Sequence, residues 1–127
     1  MNKYGFDELQ SNTYELCDAV NKLDLLKSKK RHEDILKTGI MNYCEDVKFS
    51  LLDAYVNDKK NNEDEFWKSW HVFTNSLELV RSSLCEAMMN MPAKEGRSKE
   101  DNCDWRILNN CVQAYQKVNF NSCNLLY

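Results

Sequence analysis

Glycine and proline are nearly missing, with 3 and 1 among 127 residues. Because these two residues make most turns, their scarcity predicts few turns and long elements, and it excludes a sheet of many short strands. The three glycines, Gly5, Gly39 and Gly96, stand apart, so no glycine cluster lets backbone amides converge on a phosphate. Long apolar runs are lacking as well. Met1 to Asp7 is polar and mixed, where a secretory leader needs about 7–15 consecutive apolar residues. No stretch reaches the roughly 18 apolar residues that would span a bilayer. The chain reads as cytoplasmic, in a host cell if its source is viral, with no membrane partner.

A positive surplus is also absent. Lys and Arg number 17 against 20 Asp and Glu, a net charge of −3, which gives no long-range attraction to a phosphate backbone. Nucleic acid is not an expected partner. The one basic run, Lys27, Lys29, Lys30 and Arg31, is read as a helix end, where cations face the negative end of the dipole.

Reaction motifs are equally scarce. Zinc sites bring Cys or His in close pairs, since neighbouring ligands on one turn fix half the tetrahedron, whereas the nearest cysteines here, Cys103 and Cys111, are eight residues apart. The two histidines, His32 and His71, lack the Glu three residues earlier that a di-iron bundle uses. A Cys–His nucleophile would have to join His71 to Cys17, Cys44 or Cys85. These cysteines, with Cys111, border apolar stripes, where a thiol behaves as a small hydrophobe. Glu63, Asp64 and Glu65 sit at a helix start, where acids complement the dipole. No catalytic, metal or cofactor residue is assigned, and the chain is read as non-enzymatic.

What is present builds a core. Apolar residues make up 43% and charged residues 29% of the chain, ordinary globular values, and the length suits a single domain. Six cysteines, at 17, 44, 85, 103, 111 and 123, are read as intracellular thiols, the alternative being a three-bridge framework in a secreted chain. The 13 Lys against 4 Arg, with 15 Asn, suggest an AT-rich coding sequence, as in a phage, virus, protist or low-GC bacterium.

Apolar spacing predicts four amphipathic helices. Leu9, Leu16, Val20, Leu23 and Leu26 mark the first, over about residues 8–30, with Asp7 or Asn12 as its capping residue. After a break at His32 to Asp34, Leu36, Ile40, Tyr43, Val47, Leu51 and Ala54 mark the second, about 33–57. The apolar-free stretch Asn57 to Asn62 is a loop, capped by Asn62 with Glu65. Phe66, Trp70, Phe73, Leu77, Val80, Leu84, Met88 and Met91 then define the third, about 64–91, ended by Pro92. A loop over 92–101 precedes the fourth, about 102–118, capped by Asp101 and faced by Trp105, Leu108, Val112 and Tyr115. The tail 119–127 has no clear period but ends in three apolar residues, which either pack or bind.

Short connections favour an all-α, single-domain antiparallel bundle of four helices, with helical hairpins completed by dimerisation as the rival. Trp70, Phe73, Leu77, Val47, Leu51, Leu108 and Val112 should share one core. Trp67 and His71, four apart and outside the third stripe, and Leu52 and Val56, outside the second, are the candidate partner-binding residues, because Trp dominates interfaces far beyond its abundance. The resulting expectation is a helical protein–protein interaction module acting as a regulator, adaptor or inhibitor, such as a phage or viral antagonist of host machinery, with a possible homodimer. The alternative is a secreted, disulfide-stapled module that binds a small apolar ligand or a receptor.

Overall fold

A computed structural model describes residues 1–125, and among these the chain is all helix with no strand. Five α-helices form: α1 (Lys3–Asn21), α2 (Lys29–Lys37), α3 (Ile40–Lys59), α4 (Glu63–Met89) and α5 (Lys99–Leu125). Short 3-10 turns lie at Lys22–Leu25 and Lys94–Gly96. No described helix is long and apolar enough to cross a membrane. The last two residues of the apolar tail lie outside the described residues.

The first predicted helix starts too late and runs too far. Asn2, rather than Asp7 or Asn12, caps α1 by accepting from the Gly5 amide at 2.6 Å. The α-helix ends at Asn21, after which a 3-10 turn and an extended Leu26 keep Leu23 and Leu26 buried. Ser28 then caps α2 through the Arg31 amide. The basic run therefore opens a helix instead of closing one, and the expected break at His32 to Asp34 is helix interior.

The second predicted helix is two helices. Gly39 stands between α2 and α3 with φ of 72°, a left-handed conformation that costs other L-residues a clash between Cβ and carbonyl. The interruption rotates α2 relative to α3, so Ile35 is buried and Leu36 exposed, the reverse of the expected stripe. The third prediction is close: Asn62 caps α4 through the Glu65 amide, and the helix ends at Met89. The fourth helix begins earlier than expected and continues into the predicted tail as far as Leu125. Ser98, not Asp101, is its cap, in a reciprocal pair in which the Asp101 amide donates to Ser98 and the Ser98 amide to the Asp101 carboxylate, both at 3.1 Å.

Each long helix packs on two others, α1 on α3 and α5, and α4 on α3 and α5. Phe6 near the start of α1 stacks on Tyr55 near the end of α3, with ring centroids 3.8 Å apart. Between these helices lies one core, in which Leu9, Leu16, Val20, Val47, Leu51, Phe73, Val80, Leu84, Leu108 and Val118 are fully buried. Six of the seven expected core residues are buried there, and Val112 is partly buried at its edge. Buried small residues, Ser50 and Ala54 on α3 with Ser76, Ser83 and Ala87 on α4, mark the most extensive helix pair. The short helix α2 rests on α4 and on the first 3-10 turn.

Candidate interaction surface

Helices α3 and α4 form a hairpin across a three-residue turn in which Asn61 takes φ of 55°. Their inward stripes are used by the core, and further large apolar side chains on them are exposed. Among the described residues, seven of the twelve exposed large apolar side chains fall on this hairpin. On α3 they are Phe49, which is 58% exposed, with Leu52 and Val56. The i, i+3, i+7 spacing makes a second stripe, and at 100° per residue Phe49 and Val56 point away from the core residues Val47, Leu51 and Ala54. On α4 they are Trp67, Val72, Leu79 and Met89.

Trp67 is 42% exposed and meets Phe66 edge-on, at a centroid separation of 5.0 Å. His71, one turn further, is exposed. Trp67 leans toward the flank of α4 that carries Thr74 and Glu78, which line a groove with Tyr115 of α5. Leu52 leans the other way, toward the flank of Lys48 and of Tyr55, the residue stacked on α1. The structure thus pairs Trp67 with His71 and Leu52 with Val56, each one turn apart on its own helix, and does not join the two pairs. Phe49, Val72 and Leu79 were missed from sequence. Their signal was present as a weaker helical spacing running beside each main stripe.

The hairpin is also where the negative charge lies. Between Ile40 and Met89 nine Asp and Glu stand against five Lys and Arg. Three of those cations are held within their own helix, Lys48 by Glu45, Lys68 by Glu65 and Arg81 by Glu78. The Arg81 guanidinium holds the Glu78 carboxyl below the usual carboxylate range. Asp46 and Asp53, three before and four after Phe49, make no ion pair among the described residues, so the apolar stripe is edged by free carboxylates.

Elsewhere a buried carboxylate ties α5 to the start of α2. Asp104 on α5 is fully buried and accepts from the Lys27 amide at 2.6 Å, the Ser28 amide at 3.0 Å and Arg31 Nε at 3.0 Å. Arg31 also pairs with Asp101, whose carboxyl it holds below its ordinary value. A cavity of about 550 Å³ opens beside α2, with Ile35, Leu79 and Ala87 as apolar lining and Arg31, Tyr43, Glu86 and Asn90 as polar lining. His71 meets no cysteine: Cys17 and Cys44 are buried on α1 and α3, and Cys85 lies fourteen residues along α4, about 21 Å at helical rise. Among the described residues no group of three His, Cys, Asp or Glu could hold a metal ion. Compared with protein-family models, curated proteins and solved structures, the chain matches none.

Proposed function

We propose that this chain is a non-enzymatic helical interaction module, a regulator, adaptor or inhibitor whose working surface is the outward face of the α3–α4 hairpin. One observation carries the reading: Phe49, Leu52 and Val56 form an apolar stripe on the side of α3 opposite its core stripe, with Trp67 and Val72 exposed on the adjoining helix. Large apolar side chains gain little from standing in water, and grouped ones with a polar rim mark interaction sites. Four long helices arranged up-down-up-down, with α2 as an outlying cover, is the architecture that goes with this proposal. It leaves the hairpin's outer face free.

A different protein is favoured over a second copy as partner. In a two-fold dimer about this face, Asp46 and Asp53 would approach their own images, and like charges set opposite each other are destabilising. A phage or viral antagonist of host machinery remains the natural setting on composition alone.

The test is affinity capture from the native cell with wild-type protein, Phe49→Asp and Trp67→Ala side by side, each checked for unchanged helicity. Both variants should lose the same partner. An interface Trp removed from a packed contact weakens binding by about 2 kcal/mol or more. A partner retained equally by both variants would refute the assignment of this face.

A further inference from the structure

Cys17 on α1 and Cys44 on α3 come from positions 27 residues apart and meet where the two helices pack. Both are buried, with 7% and 2% of their surface exposed. The Cys17 sulfur donates to the Cys44 carbonyl oxygen at 3.5 Å. Cys111, the third buried thiol, is turned elsewhere: its sulfur donates to the Ala19 carbonyl at 3.2 Å. The remaining cysteines, Cys85, Cys103 and Cys123, are exposed and sit on α4 and α5. Cys17 and Cys44 are thus two buried cysteines of different helices brought into direct contact.

Lys48, one turn beyond Cys44, is partly exposed and held by Glu45 at 3.1 Å, and Tyr14, one turn before Cys17, is exposed. The neighbouring Cys44 side chain holds Cys17 below its ordinary value, helped by the Lys48 charge against burial, Glu45 and Asp18. Cys44 is pushed up by the neighbouring Cys17 side chain and by burial. Of the two, Cys17 is the one suited to act as nucleophile, because the thiolate is the reactive form.

We propose that Cys17 and Cys44 are an oxidisable dithiol site that takes a small hydroperoxide and closes to a disulfide joining α1 to α3. In the first step the Cys17 sulfur attacks a peroxide oxygen and the O–O bond breaks. Cys17 becomes a sulfenic acid, and the departing oxygen leaves as water, or as an alcohol from an organic peroxide, carrying the thiol proton. In the second step the Cys44 sulfur attacks the Cys17 sulfur. The S–S bond forms, the S–O bond breaks, and the hydroxyl leaves as water with the Cys44 proton. Two electrons pass from the two thiols to one peroxide, and no other reactant is required. The bond closes the segment that carries α2 into a loop, restricting it mainly in the unfolded chain.

The experiment uses the full chain and a Cys85→Ser, Cys103→Ser, Cys123→Ser variant, both treated with hydrogen peroxide in native buffer, alkylated and mapped by mass spectrometry without reductant. A peptide pair linking Cys17 to Cys44, lighter by two hydrogens and restored by dithiothreitol, is the expected product in both proteins. In Cys44→Ser the reaction should stop at a sulfenic acid on Cys17, captured by dimedone. The linkage mapping in the unmodified chain decides the matter even if Cys44→Ser fails to fold. Cys17 and Cys44 both remaining thiols, Cys17 pairing with Cys111, or sulfenic acid forming first on Cys44 would each overturn the proposal.

Discussion

Asp104 shows how much one side chain can organise. It carries no exposed surface and answers two backbone amides and the Arg31 guanidinium at once. Asp104→Ala leaves the two amides and Arg31 Nε without their buried acceptor, so unfolding in urea should show a loss of about 3–5 kcal/mol, the range for breaking a buried pair from one side. Asp104→Asn keeps an acceptor and should lose less. The neighbouring Asp101 makes stability depend on pH. Arg31 depresses its folded value below the unfolded one, so its contribution is present above the ordinary aspartate range and is lost as pH falls through the folded value. Thermal unfolding should therefore fall away below about pH 4, less steeply in Asp101→Asn. Neither aspartate was legible as a tie point. Asp101 was read as a helix cap, and a lone acid such as Asp104 beside Trp105 looks like a solvated position. Their partners lie 70 or more residues upstream.

At the scale of elements, sequence pattern succeeded where chemical punctuation was unambiguous and failed where a different helix kept the same spacing. Asn62 and Pro92 bracket α4, and its ends were legible to within two residues. Val20, Leu23 and Leu26 follow steps of three, which a 3-10 turn of three residues per turn satisfies as well as an α-helix does, so the end of α1 was hidden. The α2–α3 junction was hidden because one glycine does the work of a loop. The interaction stripe was half legible: Leu52, Val56 and Trp67 stood out as surplus apolar residues, while Phe49 needed the burial of its neighbours to be recognised. Gly39→Ala tests the junction. A methyl there would meet nothing nearer than Tyr43 at 3.8 Å, so the expected loss of about 1–2 kcal/mol in denaturant unfolding is the backbone cost alone.

For the whole molecule, stability rests on a core to which every long helix contributes. Phe73 is fully buried on α4 and lies 4.9 Å from the Trp70 ring. Phe73→Ala should cost about 3–5 kcal/mol through lost transfer energy and the cavity left behind, read as a lower urea midpoint with unchanged helicity at zero denaturant. Changes on the outer stripe, such as Phe49→Asp, should leave that midpoint nearly unmoved. That contrast separates the residues that hold the fold from those proposed to meet a partner. The first group was visible as helical periodicity, because burial enforces it. The second was only partly visible, since a surface that works outside the fold leaves no periodic mark of its own.

The reach of Asp104 also sets an order of events. Its partners, the Lys27 and Ser28 amides, precede it by 77 and 76 residues, and α2 spans only nine residues, too short to persist alone in water. The acceptor for these two amides thus arrives with the last helix, late in any chain made from its amino end. In pulse-labelled hydrogen exchange during refolding, Lys27 and Ser28 should gain protection together with the amides of α5, after those of the α3–α4 hairpin, whose contacts are local in sequence. Two backbone protons near the first quarter of the chain would then serve as a clock for the docking of its final segment.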